Sequence, residues 1–165
     1  MKVISIKQPW AELIVAGVKR IENRTWLPSR DKLAPGEVIA IHSSKQEDIG
    51  AWSHIHKMVD QDKMPSTSAP LGCIVGLAVY CGVDNTTIGN DPFAVGPQCW
   101  RLELGCRTKP YTIRGRLGIW EIDNQVAYQI RCDADTSKQL GWHVGVLGRD
   151  LILSEPLLSS FGVSL

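Results

Sequence analysis

Near the start of the chain, Ser5-Ile6-Lys7-Gln8-Pro9-Trp10-Ala11 is followed by Gly17-Val18-Lys19-Arg20-Ile21-Glu22-Asn23-Arg24-Thr25-Trp26. This is more charge and aromatic surface than a packing segment needs. Lys19 and Arg24 can meet a phosphate or a base carbonyl, the arginine through two parallel bonds. Glu22 can accept from an exocyclic amine, as carboxylates do with cytosine. Trp10 or Trp26 can stack an unpaired base, a contact worth about 1–3 kcal/mol. The chemistry is that of a pocket for a polar, planar, anionic ligand, and a nucleotide is the obvious candidate. Single-stranded bases are the expected target, because the edges in an A-form duplex are poorly readable. A purely structural reading stands beside this one. Glu22 can pair with Lys19 or Arg24 simply to hold the fold together. Trp10 shares a helical face with Leu13 and Ile14, which points to core packing. Trp26 shares a strand face with Glu22 and Arg24 and is the better stacking candidate.

Positioning these residues requires a strand, a helix and a second strand. Lys2–Ile6 reads as the first strand. Pro9 suits the first turn of a helix, which Gly17 ends in a left-handed cap. Val18–Trp26 reads as extended, and strict alternation turns Lys19 away from Glu22 unless the helix-to-strand turn redirects it. Glu37–Ser43 is a strand, and Ser44 with Glu47 forms a capping box that starts a helix carrying an Ile49, Trp52, Ile55 and Val59 stripe. Leu71–Val83, with Gly72 and Gly76, reads as a buried, bent strand. Gln98–Leu104 and Pro110–Ile122 read as strands joined by a tight basic turn at Gly105–Lys109. After Asp123 the pattern is ambiguous, with Gly141–Leu153 able to add a strand or two. The expected fold is α+β, a mostly antiparallel β-barrel with a few flanking helices.

At 165 residues, 44% hydrophobic and 21% charged, the chain reads as an ordinary globular one with a single core. A formal net charge of +1 gives no global field for nucleic acid, so binding must come from a local patch. No apolar run approaches the ~20 residues that span a bilayer. The N-terminus lacks a signal-peptide pattern, so the expected location is the cytoplasm. The five cysteines, Cys73, Cys81, Cys99, Cys106 and Cys132, form no Cys-x-x-Cys pair and read as buried thiols in strands, without a zinc site. His54 and His56 lie two apart on a helix and cannot share a metal. A second basic group, Arg101, Arg107, Lys109, Arg114 and Arg116, lies later in the chain, with Arg114 and Arg116 on one strand face; Arg30 and Lys32 can extend it. It reads either as a backbone-contacting patch or as a solvated face.

Gly17, Lys19, Glu22 and Arg24 fit Gly-x-Lys-x-x-Glu-x-Arg, and in this respect the chain resembles the ASCH family of PUA-like β-barrels. Gln8-Pro9-Trp10-Ala11 and Trp26 are similar to the branch typified by a transcription coactivator. Gly36–Lys45, Leu71–Gly76 and Gly118–Ile122 look like further strands of the family. The resemblance reaches to about Asp123, giving an expected domain over 1–125 and an extension over 126–165 that packs on it or trails from it. It implies RNA-related work, with single-stranded RNA or a modified nucleotide bound by Gln8, Lys19, Glu22, Arg24 and Trp26, and with Arg114 and Arg116 on the backbone. It implies no cofactor, metal or membrane.

Two other readings remain. One is a hydrolase, in which Lys19 and Glu22 are the catalytic pair. Some small relatives hydrolyse N(4)-acetylcytidine with a lysine and a threonine three residues later. Glu22 stands at the threonine position here, and a carboxylate does not replace a hydroxyl nucleophile. A ribonuclease needs Lys19 to stabilise charge and Glu22 or His42 to move protons. The other is a protein-interaction module in transcription or translation, its pocket plugged by its own side chains.

Overall fold

The computed structural model describes residues 1–29 and 31–136, with Asp135 and Thr136 in backbone only. Arg30, His143, the possible strands at Gly141–Leu153 and most of the expected extension lie outside the described residues. The chain runs β1 (Lys2–Gln8), α1 (Trp10–Val15), β2 (Ile21–Arg24), β3 (Val38–Glu47), α2 (Ala51–Met58), β4 (Cys73–Val83), β5 (Gln98–Thr112), β6 (Ile119–Glu121) and α3 (Asn124–Thr136). The strands form one sheet in the order β2-β5-β4-β3-β1-β6. Among the described residues, only the β1–β3 pair is parallel.

The sheet is α+β as expected, but it is not closed into a barrel. The strands at its two ends are short, four residues in β2 and three in β6, and they do not pair with each other. Instead the guanidinium of Arg24, on β2, reaches β1 and donates from Nη2 to the Ser5 carbonyl oxygen at 3.0 Å. A side chain crosses the line where a barrel would have a ladder.

Both faces of the sheet are buried. On one, Ile4, Ile6, Ile39, Ile41, Val75 and Trp100 pack with Ala11, Ile14 and Val15 of α1. On the other, Val3, Ala40, Ile74 and Leu77 pack with Trp120, Ile122 and α3 residues Ala127 and Ile130. This two-sided burial explains the near-continuous apolar run of β4, which sits mid-sheet. Helix α1 comes close enough to touch backbone. A Cβ on Gly105 would overlap the Ile14 carbonyl oxygen, and one on Gly76 would lie 2.6 Å from Val15 Cγ1 and overlap the Cys106 carbonyl oxygen.

Two local expectations are corrected, and one left open is filled in. The hairpin at Gly105–Lys109 does not exist, because β5 runs unbroken through it for 15 residues. The glycine and polar residues there mark bulges: between the pairs Ile74–Tyr111 and Gly76–Arg107, β5 takes four steps where β4 takes two. The Ser44–Glu47 capping box is not one. Strand β3 continues to Glu47, which pairs with Gln8, and the Ser44 hydroxyl donates to the Gln46 carbonyl oxygen at 2.8 Å. Helix α2 starts later, with the Ala51 amide donating to the Asp48 carbonyl oxygen, and leaves Ile49 exposed. After Asp123 the chain is helical. The Asp123 carboxylate accepts from the Val126 amide at 2.9 Å and caps α3.

None of the five cysteines forms a disulfide. Cys73, Cys99 and Cys106 are buried in strands, whereas Cys132 lies exposed on α3. Burial pushes the Cys73 and Cys81 thiols above their ordinary pKa. Among the described residues, no helix is long and apolar enough to cross a membrane, and no cluster of His, Cys, Asp and Glu could hold a metal ion.

Candidate functional site

Helix α1 ends where Gly17 takes φ +72°, and the Val18 and Lys19 amides both donate back to the Leu13 carbonyl oxygen at 3.0 Å. This tight closure redirects Lys19 onto the side of Glu22, against simple strand alternation. The Lys19 ammonium donates to Glu22 Oε2 at 2.8 Å and also to the Ile21 carbonyl oxygen. Arg24 Nε stands 3.2 Å from Glu22 Oε1. The carboxylate thus lies between two cations. Lys19 is 3% exposed and Glu22 8%. Aromatic rings surround the group. Lys19 Nζ is 6.0 Å from the Trp10 ring centre, and the Arg24 guanidinium is 5.9 Å from that of Trp100. Trp10 is fixed by donating Nε1–H to the Asp48 carboxylate at 2.9 Å and by an edge-on contact with Phe93. Trp26 meets Trp100 edge-on at 4.9 Å, and its carbonyl oxygen accepts from Trp100 Nε1.

The family model of the ASCH domain matches residues 4–92, more than half of the chain. The chain belongs to the ASCH domain family. The crystal structure of an ASCH protein from Zymomonas mobilis superposes on it with a TM-score of 0.53 at 14% identity, covering 79% of this chain and 93% of that one. A tyrosine-to-phenylalanine variant of the Zymomonas mobilis protein gives 0.53 at 13% identity, covering 79% and 96%. At such identities the likeness speaks to fold. No curated protein matches the chain.

Within this ASCH domain the sequence-derived site residues separate into three groups. Lys19, Glu22 and Arg24 come together, with Trp10 and Trp26 beside them. Gln8 is a support, because both ends of its buried amide are used on backbone. Its Oε1 accepts from the Glu12 amide at 3.0 Å and its Nε2 donates to the Pro70 carbonyl oxygen at 3.2 Å. Arg114 and Arg116 do not share a strand face, since β5 ends at Thr112 and β6 begins at Ile119. They lie exposed on the connecting segment. Of the second basic group, Arg107 is paired with Glu12 at 2.6 Å and Arg101 stands 4.0 Å from Glu103. Arg20 is also drawn away, toward Glu103.

Sequence reasoning missed Ser5. Its carbonyl oxygen takes the Arg24 bond, while its hydroxyl donates to the Arg116 carbonyl oxygen at 3.0 Å and accepts from Trp120 Nε1 at 3.2 Å. One residue therefore joins the Lys19–Glu22–Arg24 group to the 113–118 segment. The available signal was a serine among the branched apolar residues of β1.

His42 is buried and donates from Nε2 to the Ile113 carbonyl oxygen at 3.1 Å, edge-on to Trp120. Gly115 lies against its ring, where a Cβ would come 2.8 Å from Nδ1. Burial pushes the His42 pKa below its ordinary 6.5, opposed by the bond to the Ile113 carbonyl oxygen. The unfolded chain then takes up the proton first. Stability is complete above about 6.5 and falls as pH drops from there toward the folded value, by at most about 1.4 kcal/mol per pH unit. Denaturant midpoints on either side of that pH should show this loss in the wild type and a smaller one in His42→Asn. Equal losses would mean that another group controls acid sensitivity.

Proposed function

We propose that this ASCH domain binds single-stranded RNA or a modified nucleotide, with Lys19, Glu22 and Arg24 contacting one nucleotide unit. The observation that carries the reading is a cation–carboxylate–cation group nearly removed from water beside tryptophans. Burying each charge costs several kcal/mol, and apolar residues of similar volume often serve stability as well. The donors also fit the task. Lys19 uses two of its three N–H bonds on Glu22 and Ile21, and Arg24 uses Nη2 on Ser5. The remaining N–H groups suit a phosphate or base carbonyl, and the Glu22 carboxylate suits an exocyclic amine. Trp26 is half-buried and supplies the neighbouring ring. The Gln8-Pro9-Trp10-Ala11 run supports a place in the coactivator-type branch. A domain of this kind works in the cytoplasm without a metal.

Fluorescence anisotropy with labelled single-stranded RNA tests the reading. Wild type should bind, and Lys19→Ala should weaken binding at least about tenfold, the loss of one charge-assisted bond. Circular dichroism should show the variant still folded. Unchanged affinity in a folded Lys19→Ala rejects the pocket. Recovery of cleaved RNA from wild type alone would replace binding by hydrolysis.

A further inference from the structure

We infer that the segment from Arg114 to Gly118 is a fixed lip that grips the strand beyond the pocket, so that the ligand is a run of several nucleotides rather than a single one. This inference rests on the nucleotide-binding reading of the Lys19–Glu22–Arg24 group. Among the described residues, most arginines are tied to carboxylates, as Arg20, Arg24, Arg101 and Arg107 are. Arg114 and Arg116 are exposed and have no such partner among the described residues. Strand alternation places exposed Lys7 on the same face of β1 as Ser5, whose hydroxyl holds the segment, and Lys7 too lacks an ion pair. Beside the two arginines, Leu117 is 99% exposed. A leucine left wholly in water forgoes the gain its burial would bring.

The segment is held at several points. The Ile113 amide donates to the Gly72 carbonyl oxygen, and the Ile113 carbonyl oxygen accepts from His42. Gly115 lies on the His42 ring and Arg116 is bound by Ser5. The arginines therefore project from an ordered backbone, which lowers the ordering cost of gripping a ligand. Ser5 is also the residue that Arg24 grasps, so one residue links the lip to the Lys19–Glu22–Arg24 group. A nucleotide in the pocket would leave its neighbouring phosphates to Arg114, Arg116 and Lys7, and an adjoining base face to Leu117. Cations tracking a backbone beside an apolar contact are the pattern of single-strand binding.

The test compares a single-stranded RNA of about eight nucleotides with a dinucleotide of the same bases, each at several salt concentrations. In Arg114→Gln/Arg116→Gln, octamer affinity should fall at least about tenfold, and the slope of log affinity against log salt should shrink by about 1.4, or about 0.7 per lost phosphate contact. Dinucleotide affinity should hold. Leu117→Ser should weaken the octamer without changing the slope. Unchanged octamer affinity and slope in the double variant overturn the lip and leave the pocket standing. If Lys19→Ala binds the octamer normally while the double variant does not, the pocket reading falls, and with it the proposal that the lip extends a pocket-bound strand. Competition by poly-glutamate as strong as by RNA marks a surface for acidic protein and overturns the proposal. A wild type that binds neither RNA overturns both.

Discussion

Glu22→Gln is expected to destabilise the domain by about 3–5 kcal/mol, because it leaves the Lys19 ammonium buried without a counter-charge. Domains of this size have only about 5–15 kcal/mol to lose, so the variant should unfold at a clearly lower urea concentration. Arg24 would suffer less, since it keeps its bond to the Ser5 carbonyl oxygen. The informative partner is Lys19→Met/Glu22→Leu, which removes both charges at similar volume. Its stability should lie well above that of Glu22→Gln, because the only cation left without its carboxylate is Arg24, which is 19% exposed and keeps its bond to Ser5, while RNA binding is lost. Urea unfolding with anisotropy on the same samples checks both statements. A double variant as unstable as Glu22→Gln would show that the ion pair supports the fold and would remove the main argument for a binding role.

Gly105→Ala should be nearly as damaging. Overpacking a core usually costs about 1–3 kcal/mol, and here the added methyl overlaps the Ile14 carbonyl oxygen of α1. A side chain could swing aside, but a helix backbone must move as a unit. Moving α1 also displaces Gly17, whose nitrogen would lie 3.1 Å from the new carbon, and Gly17 sets the turn that delivers Lys19. Loss of stability and loss of RNA affinity should therefore appear together. Gly50→Ala is the control, because its Cβ meets only the Asp48 carboxylate at an ordinary 3.7 Å. Comparable urea midpoints for the two variants would disprove the close approach.

Much of the Lys19–Glu22–Arg24 group was legible because its parts are close in sequence. Lys19, Glu22 and Arg24 fall within one turn and one short strand, so spacing alone nearly brings them together. The direction of Lys19 was not legible, since it depends on two amides returning to Leu13. Ser5 was missed because its partners are distant in sequence: the pairing of β6 with β1 brings Arg116 and Trp120 to it, and Arg24 reaches it from β2. Helix α3 could have been read. Val126, Ala127, Ile130 and Ala134 have helical spacing after a capping Asp123, and the described contacts place them on the sheet's second face. The false hairpin shows the opposite error. Glycine and basic residues mark a turn when the ladder ends and a bulge when it continues, and only the pairing of β5 with β4 decides between them. The barrel expectation failed for a related reason. Closure depends on the two terminal strands meeting, and each is too short to carry that information.

The link from Arg24 to Ser5 has a mechanical consequence. A continuous ladder resists parting because neighbouring bonds must break together, whereas a single guanidinium can let go alone. The sheet thus has a fastener where a barrel would have a weld, and the same side chain is part of the candidate grip on a nucleotide. Whatever draws the guanidinium of Arg24 away also loosens the line between β2 and β1, so holding shape and holding ligand compete for one arginine.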